Sequence, residues 1–70
     1  MKYLVVIERT ETGYSAYCPD LPGCLVTGET REEVERNIKE GIAFHLEGMR
    51  EDGEHIPEPK SYSRTLDIAV

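Results

Sequence analysis

The stretch TREEVERNIKEGIAFHLEGMRE, residues 30–51, carries the clearest structural pattern in this chain. Thr30 and Glu33 have the spacing of a capping box, in which each side chain accepts a hydrogen bond from a free backbone N–H at the start of a helix. The pattern predicts a helix over Arg31–Glu51, roughly 31 Å long. Its apolar residues recur at the spacing of a single helical face, and they are Val34, Ile38, Ile42, Leu46 and Met49.

Two glycines interrupt this helix, and each costs about 1 kcal/mol relative to alanine in a helix interior. Gly41 and Gly48 are seven residues apart, so both lie on one side of the helix, beside the apolar face. Their position predicts that the helix backbone approaches the sheet closely there. The alternative is that the helix simply tolerates them.

The residues before the helix favour three short strands. Residues 2–9 are rich in β-forming side chains and apolar on both faces, which is typical of a central strand covered on both sides. Residues 14–18 and 24–28 form the second and third strands. Turn residues 10–13 and the proline-containing bend at residues 19–23 separate them. This order predicts an antiparallel meander.

A fourth strand is expected after the helix. Leu66, Ile68 and Val70 alternate with Thr65, Asp67 and Ala69, after a polar loop at residues 54–64 that two prolines stiffen. We expect this strand to pair in parallel with the first, through a right-handed crossover. The predicted fold is one α+β domain over residues 1–70, in the order β-β-β-α-β.

A single helix can cover only one face of such a sheet. The other face would expose either Leu4 and Val6 or Tyr3, Val5 and Ile7, depending on register. An exposed apolar patch on a small domain usually marks an interface. We therefore expect a homo-oligomer, a dimer or higher, or a partner docked on that face.

Charge and hydropathy exclude several classes of partner. The chain has 14 acidic and 8 basic residues, a formal net charge of −6, so it should repel nucleic acid and suit a basic protein. No apolar run approaches the ~18 residues of a membrane-spanning helix. The N-terminus lacks the features of a signal peptide, so we expect a cytoplasmic protein.

The carboxylates do not predict a catalytic centre. A two-metal nuclease needs carboxylates that converge on ions roughly 4 Å apart. Glu8, Asp20 and Asp67 are the candidates on or near the sheet, but nothing in their spacing indicates convergence. A solvated acidic surface is the better interpretation, and a metal nuclease that uses Glu8 is the weakest hypothesis.

The remaining reactive residues also favour structural roles. Cys18 and Cys24 bracket the bend, but no second pair of ligands completes a zinc site, so we expect both to be buried apolar residues. His45 lies on the apolar helix face and His55 in the loop, each without an assignable partner. Glycine-rich phosphate-binding motifs are absent. We expect no enzyme activity, no metal and no cofactor.

The motif GYSAYCPDLPGC at residues 13–24, followed by TGETREE at residues 27–33, resembles the HicB antitoxin family, and IPEP at residues 56–59 resembles the family's segment after the helix. This combination is far more specific than an isolated glycine motif. The resemblance implies a partial ribonuclease H-like fold without nuclease activity. The residues that carry it include Pro19, Asp20, Pro22, Gly23, Gly28, Thr30 and Glu33.

The resemblance also implies a function. In that family, this domain binds and neutralises HicA, a small toxin that cleaves messenger RNA, and many members add a C-terminal DNA-binding domain. Here the sequence stops at Val70, so we expect no DNA binding by this chain. The alternative is an oligomeric binding or scaffold domain without a toxin partner. Four acidic residues at strand ends and turns are predicted to face a basic partner, or else serve only solubility: Glu8, Glu11, Asp20 and Glu29.

Overall fold

The computed structural model describes residues 1–70 and contains one sheet and one helix. The elements follow the order β1 (Val6–Arg9), β2 (Tyr14–Tyr17), β3 (Leu25–Gly28) and α1 (Arg31–Glu51). The three strands form an antiparallel sheet in the order β1-β2-β3. The predicted α+β class, the meander and the helix bounds are confirmed. The helix is not apolar enough over its length to cross a membrane.

Local hydrogen bonds explain where α1 begins. The Thr30 hydroxyl accepts from the backbone N–H of Glu33 at 3.1 Å. The Glu33 carboxylate accepts from the N–H of Glu29, also at 3.1 Å, one residue before the expected partner. The first of these bonds satisfies a backbone donor that the first turn leaves without an intrahelical acceptor, and the second ties the residue before the N-cap to the helix. The predicted helix start is therefore confirmed.

The strand register decides which side chains meet the helix. Ile7, Ala16 and Val26 are opposite one another across the sheet and face α1. Val6 and its neighbours point to the other side, because successive residues of a strand alternate between faces. The buried apolar residues between sheet, bend and helix are Ala16, Cys18, Leu21, Cys24, Val34 and Ile38.

Close packing at two glycines brings the helix onto the sheet. A Cβ added to Gly41 would lie 3.3 Å from Cγ1 of Val26, so the predicted close approach is confirmed there. A Cβ on Gly28 would lie 2.7 Å from the backbone nitrogen of Val34, because β3 runs directly against the first turns of α1. Gly48 has nothing within 4 Å, so the same prediction is wrong at that position. Its part of the helix lies against nothing on that side.

The fourth strand is absent from this sheet, which corrects the expected β-β-β-α-β order. Residues 54–70, the C-terminal arm, contain no helix or strand, and Leu66 and Ile68 are 63% and 70% exposed. A segment in which apolar and polar residues alternate forms a strand only where another strand supplies its backbone hydrogen bonds. Without that pairing, β1 is an edge strand and β2 is central. The expectation of a central first strand is wrong for the single chain.

Candidate functional site

The side chains considered for metal binding lie apart from one another. No group of three or more His, Cys, Asp or Glu residues is close enough to hold a metal ion. The three carboxylates considered for a nuclease lie apart: Glu8 on β1, Asp20 in the bend and Asp67 in the exposed arm.

The two cysteines are structural, as predicted. Both are free and buried, and the backbone N–H of Cys18 donates to the carbonyl of Cys24 at 3.2 Å across the bend. Burial raises the pKa of the Cys24 thiol, and the nearby Cys18 raises it further. A thiol with a raised pKa is a weak nucleophile at neutral pH. These residues fill the core.

The proline-containing bend packs into the core and closes on itself. The N–H of Leu21 donates to Cys18, and the N–H of Cys24 donates to Leu21, each at 3.1 Å. The Leu21 side chain is only 1% exposed. Gly23 has a φ of 85°, a conformation that side chains with a Cβ rarely adopt. The PDLPG motif at residues 19–23 thus determines the conformation of the bend.

Asp20 anchors the C-terminal arm to this bend. Its carboxylate accepts from the backbone N–H groups of Lys60 and Ser61, each at 3.1 Å, and from the Ser61 hydroxyl at 2.8 Å. The Ser61 N–H is the largest cause of a lowered Asp20 pKa; the other two donors add to it, and burial opposes it. Tyr3 adds a second anchor by donating from its hydroxyl to the Pro57 carbonyl. The Asp20 carboxylate is therefore used within the chain.

The other three predicted acidic residues are exposed and lie near one end of the sheet. Glu8 is opposite Ser15, whose other neighbour is Thr27. Glu11 lies in the β1–β2 turn and Glu29 follows β3, both beyond the strand ends where Tyr14 pairs with Gly28. These three carboxylates, which we call the acidic margin, lie at this end together with Arg9 and Arg31, opposite the end that carries the Asp20 bend.

The side of the sheet away from α1 is an uncovered apolar surface. Val6, Tyr17 and Leu25 form one cross-strand row there, and Leu4 continues the alternation of Val6. Tyr17 is 39% exposed and Leu25 is 65% exposed. We call this surface, with the half-buried Leu4 and Val6 and the exposed Tyr17 and Leu25, the open face. The structure thereby chooses between the two faces that the sequence left open, and it adds Tyr17 and Leu25 to the row. Of these two, only Leu25 was not singled out from the sequence as a core or interface residue. The two-residue alternation of side chains along β2 and β3 is the sequence signal that places both residues on this face.

A second apolar surface lies between the free side of β1 and the helix. This β1–α1 cleft has a volume of about 400 Å³ and is mainly hydrophobic. It is open because α1 lies chiefly over β3 and β2. Its lining consists of Met1, Tyr3, Val5, Ile7, Glu35, Ile38, Lys39 and Ile42.

The chain is similar to proteins of a known family. A family model described as the HicB-like antitoxin of bacterial toxin–antitoxin systems matches residues 3–68. An uncharacterised protein of Haemophilus phage HP1 is 47% identical over 83% of this chain. Antitoxin HicB 2 of Photorhabdus laumondii is 34% identical over 87% of this chain. The chain spans 44% of the length of each of these two relatives.

A solved structure has a similar fold. A chain of the HicA3 and HicB3 toxin–antitoxin complex superposes with a TM-score of 0.73 and 33% sequence identity. The match covers 84% of this chain and 70% of that one. The similarity therefore includes most of the residues of the sheet and the helix.

Proposed function

Because this chain belongs to the family of HicB-like antitoxins of bacterial toxin–antitoxin systems, we propose that it binds and neutralises a small basic toxin of the HicA type. The observation that carries the proposal is the open face, an uncovered apolar row beside an acidic margin. The solved complex supports the class of partner, because it contains a chain of similar fold together with a toxin.

Electrostatics and burial would act together in this inhibition. A toxin that binds messenger RNA needs a basic surface, and a chain of net charge −6 attracts such a surface at long range. The Glu8, Glu11 and Glu29 carboxylates would then orient the encounter, while Tyr17 and Leu25 lose water on contact. Occupying the basic surface excludes RNA from it. The mechanism is stoichiometric and requires no catalytic group on the antitoxin.

The finer architectural predictions belong to the same proposal. We propose that the sheet and helix form a partial ribonuclease H-like domain and that the protein is a homo-oligomer. The β-β-β-α order supports the first proposal. The exposed apolar surfaces of the single chain support the second, since patches of this kind usually mark interfaces.

The test is co-expression with a small basic protein encoded by the neighbouring reading frame, followed by measurement of affinity and of toxin inhibition. The double variant Glu8→Lys, Glu29→Lys should bind at least 10-fold more weakly than the parent. A matched control, Glu40→Lys, Glu47→Lys, makes the same change in net charge at exposed positions of α1. It should lose much less affinity.

Each result decides one part of the proposal. Equal losses in the two double variants would mean that net charge alone matters and that the acidic margin is not the contact. Failure of the parent to neutralise any such toxin would overturn the antitoxin function. An oligomeric scaffold domain would then be the better interpretation.

A further inference from the structure

The C-terminal arm and the free edge of β1 are two unused parts of the chain that complement one another. We propose that residues 65–70 of one copy pair with β1 of a second copy, and that the exchange is reciprocal. Each chain then supplies the fourth strand of its partner's sheet. The inference names the surface of the proposed homo-oligomer and is independent of the antitoxin function.

The acceptor strand in this exchange is β1, an edge strand that lies above the apolar β1–α1 cleft. β1 pairs only with β2, so the backbone groups on its outer side have no protein partner. Ile7 faces the helix layer, yet it is 39% exposed, because nothing lies beside it at the edge. Tyr3, Val5 and Ile42 line the cleft below. An unpaired edge of this kind is a template for an added strand.

The donor segment, residues 65–70, has the sequence pattern of a strand but pairs with no other strand in its own chain. Leu66, Ile68 and Val70 are 63%, 70% and 119% exposed, and they alternate with Thr65, Asp67 and Ala69. Residues 62–70 make no hydrogen bond to the rest of their own chain. Addition to β1 would satisfy their backbone groups and direct every second side chain towards the cleft.

The path of the arm favours a second copy over its own sheet. Asp20 holds the arm at Lys60 and Ser61, and every residue from 62 to 70 is exposed beyond that anchor. The radius of gyration is 13.9 Å, whereas a compact 70-residue domain would have about 11 Å. The arm therefore projects from the body, where it can meet a neighbouring β1.

Charge is also compatible with a second copy as the occupant. The donor residues 65–70 carry only Asp67, but the basic Lys60 and Arg64 come just before them, and residues 1–59 have a side-chain charge of −7. The two basic side chains are attracted to the acidic body of a second copy and repelled by a basic protein. Reciprocal exchange closes the β1 edge of each copy, and a twofold axis relates the two contacts. It leaves the open face free.

The experiment uses two variants with complementary defects. Light scattering should give the parent twice the 7.9 kDa mass of one chain. A chain lacking residues 65–70 keeps the acceptor edge but has no donor, and Ile7→Asp keeps the donor but places a charge at the edge. Each variant alone should be monomeric where the parent is a dimer. Their mixture should form a heterodimer at a lower concentration than either forms a homodimer. The control Phe44→Asp, at an exposed position on α1, should stay dimeric.

Several outcomes would overturn the inference. These are a monomeric parent, a truncated chain that still dimerises, or a mixture that does not associate. Circular dichroism must show that each variant is folded, and Ile68→Asp replaces the truncation if the shortened chain unfolds. Loss of toxin binding with dimerisation intact would contradict the proposed function and leave the arm exchange standing.

Discussion

The two faces of the sheet carry similar apolar side chains, but they differ in how much of those side chains is exposed to solvent. Ala16 and Tyr17 are neighbours in β2, yet Ala16 is completely buried against α1, while Tyr17 is 39% exposed on the open face. Ile7 and Val6 also point to opposite sides, because they pair with Ala16 and Tyr17 respectively. Their exposure does not follow the same contrast, since Ile7 at the free edge is 39% exposed and Val6 is half-buried. Apolar character alone therefore does not identify the core of this protein. The position of the single helix does.

This contrast divides the chain into residues that stabilise it and residues available to a partner. The helix-facing side combines sheet, bend and helix in one buried cluster. The open face contributes little to that cluster and leaves a row of apolar atoms in water. Substitutions on the two sides should therefore differ in kind, with unfolding on one and altered binding on the other.

The largest expected effect compares two leucines. Leu21 is 1% exposed and Leu25 is 65% exposed. Leu21→Ala should lower the free energy of unfolding by about 2–5 kcal/mol, because it leaves a cavity in the core. Leu25→Ala should change it by less than about 0.5 kcal/mol. Urea denaturation of both variants measures the difference. A comparable loss at Leu25 would show that a second molecule covers the open face.

Gly28→Ala tests how tightly the covered side is packed. The new Cβ would lie 2.7 Å from the nitrogen and 2.9 Å from the Cα of Val34, and a backbone cannot move aside as a side chain can. We expect a loss of about 1–3 kcal/mol from overpacking. The denaturation midpoint of this variant should fall below that of the parent. An unchanged midpoint would mean that β3 and α1 are farther apart in solution.

Gly48→Ala should instead stabilise the protein. This helical glycine has open space around it, so alanine adds helix propensity worth about 1 kcal/mol without a clash. Gly41→Ala is the matched comparison, because its Cβ would press on Val26 at 3.3 Å. It should gain less or lose stability. Equal gains in the two thermal unfolding midpoints would contradict the close approach at Gly41.

The smallest effect on global stability concerns the arm anchor and depends on pH. The pKa of Asp20 is lowered in the folded chain, first by the Ser61 N–H. Anchoring is therefore complete above the ordinary aspartate pKa of about 3.9 and is lost as the pH falls through the lower folded value. The amide resonances of Lys60 and Ser61 should shift in that acidic range. Asp20→Asn should abolish the step, and its persistence would assign it to another carboxyl group.

Local patterns made the helix and the strands predictable. The capping box joins residues three and four positions apart, and the apolar face of α1 repeats within one continuous segment. Strand alternation likewise appears within a few residues. The predicted helix start and end agree with the structure because these interactions depend on near neighbours. The bend motif also pointed to the antitoxin family.

Long-range pairing placed the remaining parts of the molecule. Asp20 meets Ser61 across 41 positions, and no local signal in the bend announces that contact. Gly41 and Gly48 each follow a glutamate and precede an apolar residue in the same helix, but only Gly41 meets a strand. The composition and periodicity of residues 65–70 suit a strand, yet a strand exists only where another edge completes its hydrogen bonds. Interactions between near neighbours can be predicted from the sequence, because they depend only on residues that are close together in the chain. Which face of the sheet is covered, and which segments pair, depends instead on where segments distant in sequence meet in the fold.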